Sequence, residues 1–78
     1  MNIFVGNLNA MTTASHLVSL FLPFGLVRSV KIIHDLPNGH TGAIGYIEMN
    51  DQCAKMAIYQ LNNMKFMNYF LEVTEAAV

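Results

Sequence analysis

Residues 43–49 read Ala43-Ile44-Gly45-Tyr46-Ile47-Glu48-Met49, and their alternation decides how the rest of the chain is read. In an extended strand, Ile44, Tyr46 and Glu48 point to one side, and Ala43, Gly45, Ile47 and Met49 to the other. The second set is apolar or has no side chain, as a face pressed on helices requires. The first set joins an isoleucine, a tyrosine and a glutamate, which suits a sheet face open to solvent. A ring standing on such a face is a platform for a flat partner such as a nucleobase.

Working outward, the segment Leu36-Pro37-Asn38-Gly39-His40-Thr41-Gly42 is turn chemistry, with Asn38-Gly39 its strongest signal. Residues 26–35 before it read as a strand, with Val30 and Ile32 on one face and Lys31 and Ile33 on the other. A hairpin follows, placing Lys31 and Ile33 beside Ile44, Tyr46 and Glu48. Residues 1–8 read as another strand, with Ile3 and Val5 on one face and Asn2, Phe4 and Gly6 on the other. Between these strands, Thr13 caps a helix whose stripe is Leu17, Leu20, Phe21 and Phe24, ended by Pro23 and Gly25. Val18 and Leu22 fall off that stripe, facing solvent. A second helix, capped by Asn50 or Asp51, has the stripe Ala54, Ala57, Ile58 and Leu61 and ends at Asn62-Asn63. Residues 64–68 connect, with Phe66 tucked inward. Residues 69–75 form the last strand, with Leu71 and Val73 inward and Phe70, Glu72 and Thr74 outward. The order strand, helix, strand, strand, helix, strand is the split βαβ pattern. It predicts an α+β, ferredoxin-like βαββαβ sandwich: a four-stranded antiparallel sheet, two helices on one face, the other face bare. Residues 1–76 make one domain and 77–78 a tail.

Composition narrows the function. A chain of 78 residues buries only about 60% of its unfolded surface, leaving little room for a deep catalytic pocket. Charged residues are 12% of the total, against about 25% in ordinary domains, and the net charge is −1. A strongly basic signature is therefore lacking. The lone Cys53 allows no internal disulfide, and no apolar run is long enough for a membrane span. These features predict a soluble intracellular domain, cytoplasmic or, in a eukaryote, nuclear. His16, His34, His40 and Cys53 match no zinc spacing, Gly42-x-x-Gly45 precedes no helix, and no paired carboxylates frame a cleft. Neither enzymatic activity, a metal nor a cofactor is expected. The methionines Met11, Met49, Met56, Met64 and Met67 read as core and gap filling.

The motifs together resemble the RNA recognition motif family over almost the whole chain. Ile3-Phe4-Val5-Gly6-Asn7-Leu8 matches the family's first-strand hexapeptide, and residues 42–49 occupy the place of its third-strand octapeptide. Leu20-Phe21-x-x-Phe24-Gly25, Ala57-Ile58-x-x-Leu61-Asn62 and Leu71-Glu72-Val73-Thr74-Glu75-Ala76 are similarly family-like. The resemblance implies a non-enzymatic module that stacks bases of single-stranded RNA on sheet aromatics. Carried over, Phe4 and Tyr46 take two of the three stacking positions, and Ile44 takes the third without a π face. Ile33 adds apolar support, and Lys31 and Asn2 make polar contacts. The octapeptide's leading basic residue is Gly42 here, and Glu72 stands where a basic residue would favour RNA. Binding by the isolated domain is therefore expected to be weak, on the order of micromolar. The alternative is a protein-interacting or self-associating member of the same fold, docking through Val18 and Leu22 on the first helix.

Overall fold

The computed structural model describes residues 1–34 and 42–77. The turn expected around Asn38-Gly39, with His40, lies outside the described residues. The elements run β1 (Asn2–Leu8), α1 (Ala14–Phe21), a 3-10 turn (Leu22–Phe24), β2 (Val27–Ile33), β3 (Ala43–Met49), α2 (Asp51–Leu61), β4 (Lys65–Phe66), β5 (Tyr69–Phe70) and β6 (Glu72–Glu75). Four strands make one antiparallel sheet in the order β2-β3-β1-β6. This is the ferredoxin-like arrangement expected from the element order.

Alternation explains the layers. Ile3 and Val5 of β1, Ala43, Ile47 and Met49 of β3 and Val73 of β6 are all buried, and they meet Leu17 and Phe21 of α1 and Ala54, Ala57 and Leu61 of α2. Leu20, Phe24, Ile58 and Phe66 are half-buried against that core. Every buried strand residue that points this way helps hold the helices on one face, and no described element covers the opposite face. Gly45 lets α1 approach closely: a Cβ there would lie 2.6 Å from Leu17 Cδ1.

Local chemistry sets the helix ends. Thr13 Oγ1 accepts from the His16 backbone N–H, and His16 Nδ1 accepts from the Thr13 backbone N–H, so the two ends of the first turn cap each other. Asn50, not Asp51, caps α2 by accepting from Gln52 N–H. Asn63, just after α2, adopts a left-handed φ of 67°.

Three expectations are corrected. The last strand is not continuous over 69–75. Leu71 turns its peptide away to bond with Met64 and Asn63, so Tyr69–Phe70 pair with Lys65–Phe66 as a separate hairpin. Its turn residues Met67 and Asn68 both have positive φ. Val18 is half-buried rather than solvent-facing. At about 100° per residue it lies on the flank of the Leu17–Phe21 stripe, whereas Leu22, about 40° farther round, is exposed. Of the methionines, only Met49 is a core residue; Met11, Met56 and Met64 are exposed. The helix faces and loops that carry them look away from the sheet.

The link from the 3-10 turn to β2 passes through Gly25, whose φ of 152° suits only glycine. A Cβ there would also sit 2.6 Å from Cys53 Sγ on α2. Gly25→Ala is expected to cost about 1–3 kcal/mol, lowering the thermal midpoint by about 4 °C or more in a domain of this size. Melting followed by circular dichroism tests this; an unchanged midpoint would mean that the turn relaxes around the added methyl.

Candidate nucleic-acid interface

The uncovered face is laid out by cross-strand register. Phe4 of β1 sits opposite Tyr46 of β3 on one side and Thr74 of β6 on the other, and Tyr46 sits opposite Lys31 of β2. Lys31, Tyr46, Phe4 and Thr74 therefore form one row across all four strands. A second row holds Ser29, Glu48 and Asn2. A third pairs Ile33 with Ile44, and Gly6 with Glu72. The sequence-derived candidates Phe4, Tyr46, Ile44, Lys31, Asn2 and Ile33 thus come together on one surface. Val18 and Leu22 lie elsewhere, on the helix layer.

At the centre, the Phe4 and Tyr46 rings meet edge to face, with centroids 5.7 Å apart and planes inclined by 61°. Both are half-buried, so each is held by its neighbours yet keeps accessible surface. Phe4 leans along its own strand onto Gly6: a Cβ at Gly6 would lie 2.8 Å from Phe4 Cε2 and 3.0 Å from Cζ. The missing side chain is what makes room for the ring. The chain then bulges. Pairing between β1 and β3 shifts after Val5, and Asn7 takes a left-handed φ of 60°. From there Asn7 Nδ2 donates to the Phe70 carbonyl at 2.7 Å, and Asn9 Nδ2 donates to the Met67 carbonyl at 3.1 Å. These bonds fasten the β4–β5 hairpin to the end of the ring-bearing strand. At the other edge, His34 Nε2 lies 2.8 Å from the carbonyl oxygen of buried Thr12, tying the end of β2 to the loop before α1.

The face is electrically sparse. Among the described residues, its charged members are Lys31, Glu48 and Glu72. Ser29 Oγ donates to Glu48 Oε1 at 3.4 Å, a contact that nothing in the sequence pattern announces. Arg28 is exposed at the point where β2–β3 pairing slips between Val27 and Ser29. Among the described residues there is no group of three or more metal-ligating side chains. His16, one of the histidines weighed as a ligand, is occupied in a helix cap instead. No described helix is long and apolar enough to cross a membrane.

Comparison with known proteins agrees with this geometry. The profile of the RNA recognition motif matches residues 3–72. The chain is 40% identical over 73 residues to the protein elav of Drosophila melanogaster, covering 92% of this chain. It is 32% identical over 66 residues to the probable RNA-binding protein 23 of Homo sapiens, covering 83% of this chain. It spans only 15% of the length of either relative. The crystal structure of RNA-binding protein PG1 superimposes with a TM-score of 0.86 at 36% identity, covering 97% of this chain and 93% of that one. With the first-strand and third-strand motifs lying side by side at the centre of the sheet, and a match running through nearly every element, the chain belongs to the RNA recognition motif family.

Proposed function

We propose that this domain binds single-stranded RNA on its uncovered sheet face, without catalysing a reaction. The observation that carries this is the pair of rings, Phe4 and Tyr46, on adjacent central strands of that face. Two consecutive bases stack on them, Ile44 and Ile33 line the apolar ground beside Tyr46, and Lys31 reaches a phosphate. Asn2 supplies hydrogen bonds at the far row. Membership of the family and the names of the relatives support this reading.

Magnitudes set the strength. Base–aromatic stacking contributes about 1–3 kcal/mol per base, so two rings give roughly 2–6 kcal/mol before the entropic cost of association. With Lys31 the only cation in the ring row, little Coulomb attraction is added. The isolated domain therefore binds weakly, on the order of micromolar, and tight recognition falls to any further domain or oligomer. In titrations of short labelled oligonucleotides, Tyr46→Ala and Phe4→Ala should each weaken binding by about 1–3 kcal/mol while leaving the circular dichroism spectrum intact. Tight binding indifferent to both changes would refute the stacking role. The same titration repeated across salt concentrations should give a shallow slope of about −0.7 to −1.4, corresponding to one or two neutralised phosphates.

A second reading has its own observation. Leu22 and Leu26 are 59% and 77% exposed on either side of Gly25, and Met56 of α2 is also exposed, one turn on from the Cys53 that touches Gly25. Such a surface suits contact with a protein or a second copy of this chain. Sedimentation velocity over a range of concentrations should then show association that Leu22→Glu and Leu26→Glu abolish. A monomer at every concentration removes self-association.

A further inference from the structure

Glu48 and Glu72 both stand on the ring-bearing face, but their situations differ. Glu48 accepts from Ser29. Glu72 is exposed and has no hydrogen-bond or salt-bridge partner among the described residues. Its place is specific: it is the cross-strand partner of Gly6, the residue beneath the Phe4 ring. The Cβ position of Gly6 is 2.8 Å from Phe4 Cε2 and 3.4 Å from Glu72 Oε2, so ring edge and carboxylate crowd the same point. A carboxylate there repels phosphate, and it offers only acceptor oxygens.

We infer that Glu72 is a specificity-determining residue, selecting at the Phe4 seat a base whose edge presents N–H donors, guanine above all. This rests on the stacking reading given above. A base lying on Phe4 carries its edge over the Glu72 carboxylate. Guanine offers two parallel donors there, N1–H and the N2 amino group, which match the two oxygens of one carboxylate. Cytosine and adenine each offer one amino group beside a ring acceptor. Uracil offers a single N3–H flanked by two carbonyl oxygens, which face the negative charge unfavourably. The expected order at this seat is guanine, then cytosine and adenine, then uracil. Among the described residues no protein donor competes, so both Glu72 oxygens are available to the base. The face thus gives up charge attraction to the backbone and gains discrimination among bases.

The test uses the full 78-residue chain and fluorescein-labelled hexauridylate, alongside hexamers carrying one guanine, cytosine or adenine at each position in turn. In anisotropy titrations, guanine at one position should tighten binding at least about fivefold over hexauridylate, in line with the discrimination of a bidentate base contact. Glu72→Gln, whose amide both donates and accepts, should shrink or invert that ratio, because it can pair with a uracil edge. It should also raise affinity for hexauridylate by removing a negative charge, so the ratio and not the absolute affinity is decisive. Binding of every hexamer with equal affinity, or a guanine preference that survives Glu72→Gln, overturns the inference and leaves the stacking platform standing. If no hexamer binds, the platform itself fails and the inference with it.

Discussion

Ile3 and Ile47 face one another across β1 and β3, both fully buried, and the next pair along is Phe4 with Tyr46 on the other side of the sheet. This register is the constraint from which the rest follows. A slip of one residue would send every ring to the core and every core aliphatic to solvent. Burial of Ile3, Val5, Ile47 and Met49 under the helices therefore fixes the position of the rings on the far side, although the rings take no part in that core. The hydrophobic effect builds the platform indirectly, by making its alternative costly.

The chemistry of the open face is a balance between stacking and charge. A face carrying Lys31 against Glu48 and Glu72 gains little from polyanion attraction, so in the RNA binding proposed above the affinity comes from flat apolar contact and from hydrogen bonds to base edges. Ser29 takes up part of the capacity of Glu48, and the left-handed Asn7 anchors the neighbouring hairpin by donating from its side-chain amide to the Phe70 carbonyl. The polar groups around the rings are thus partly engaged in shaping the face.

Most of the sheet and both helices were legible because each element obeys a simple period. Residues 43–49 alternate without exception, and Leu17, Leu20, Phe21 and Phe24 repeat at helical spacing. The β4–β5 hairpin was not legible, since strands of two residues carry no period and its turn puts Met67, a residue with no turn preference, at positive φ. Hydropathy also misplaced Met11, Met56 and Met64, because it measures how an apolar chain would behave if buried, not whether a layer exists to cover it. Val18 shows the same limit on a smaller scale: a stripe gives a direction, while the width of the covered zone depends on how closely the sheet approaches. At the candidate site, positions were readable from alternation and from the family motifs. The bed that Gly6 makes for the Phe4 ring was not, because it depends on how a side chain leans along its own strand.

The two rings stand on β1 and β3, the interior strands of the order β2-β3-β1-β6, so each ring-bearing strand is hydrogen-bonded on both sides. Backbone opening there requires breaking two ladders and exposing the aliphatic layer, so amide exchange at these positions should approach the slow limit set by global unfolding. A ligand stacked on the rings as proposed therefore meets a preorganised surface and has little ordering of the protein to accomplish there. On the same proposal, adaptation to different ligands is left to the outer strands, where Lys31 and Glu72 sit.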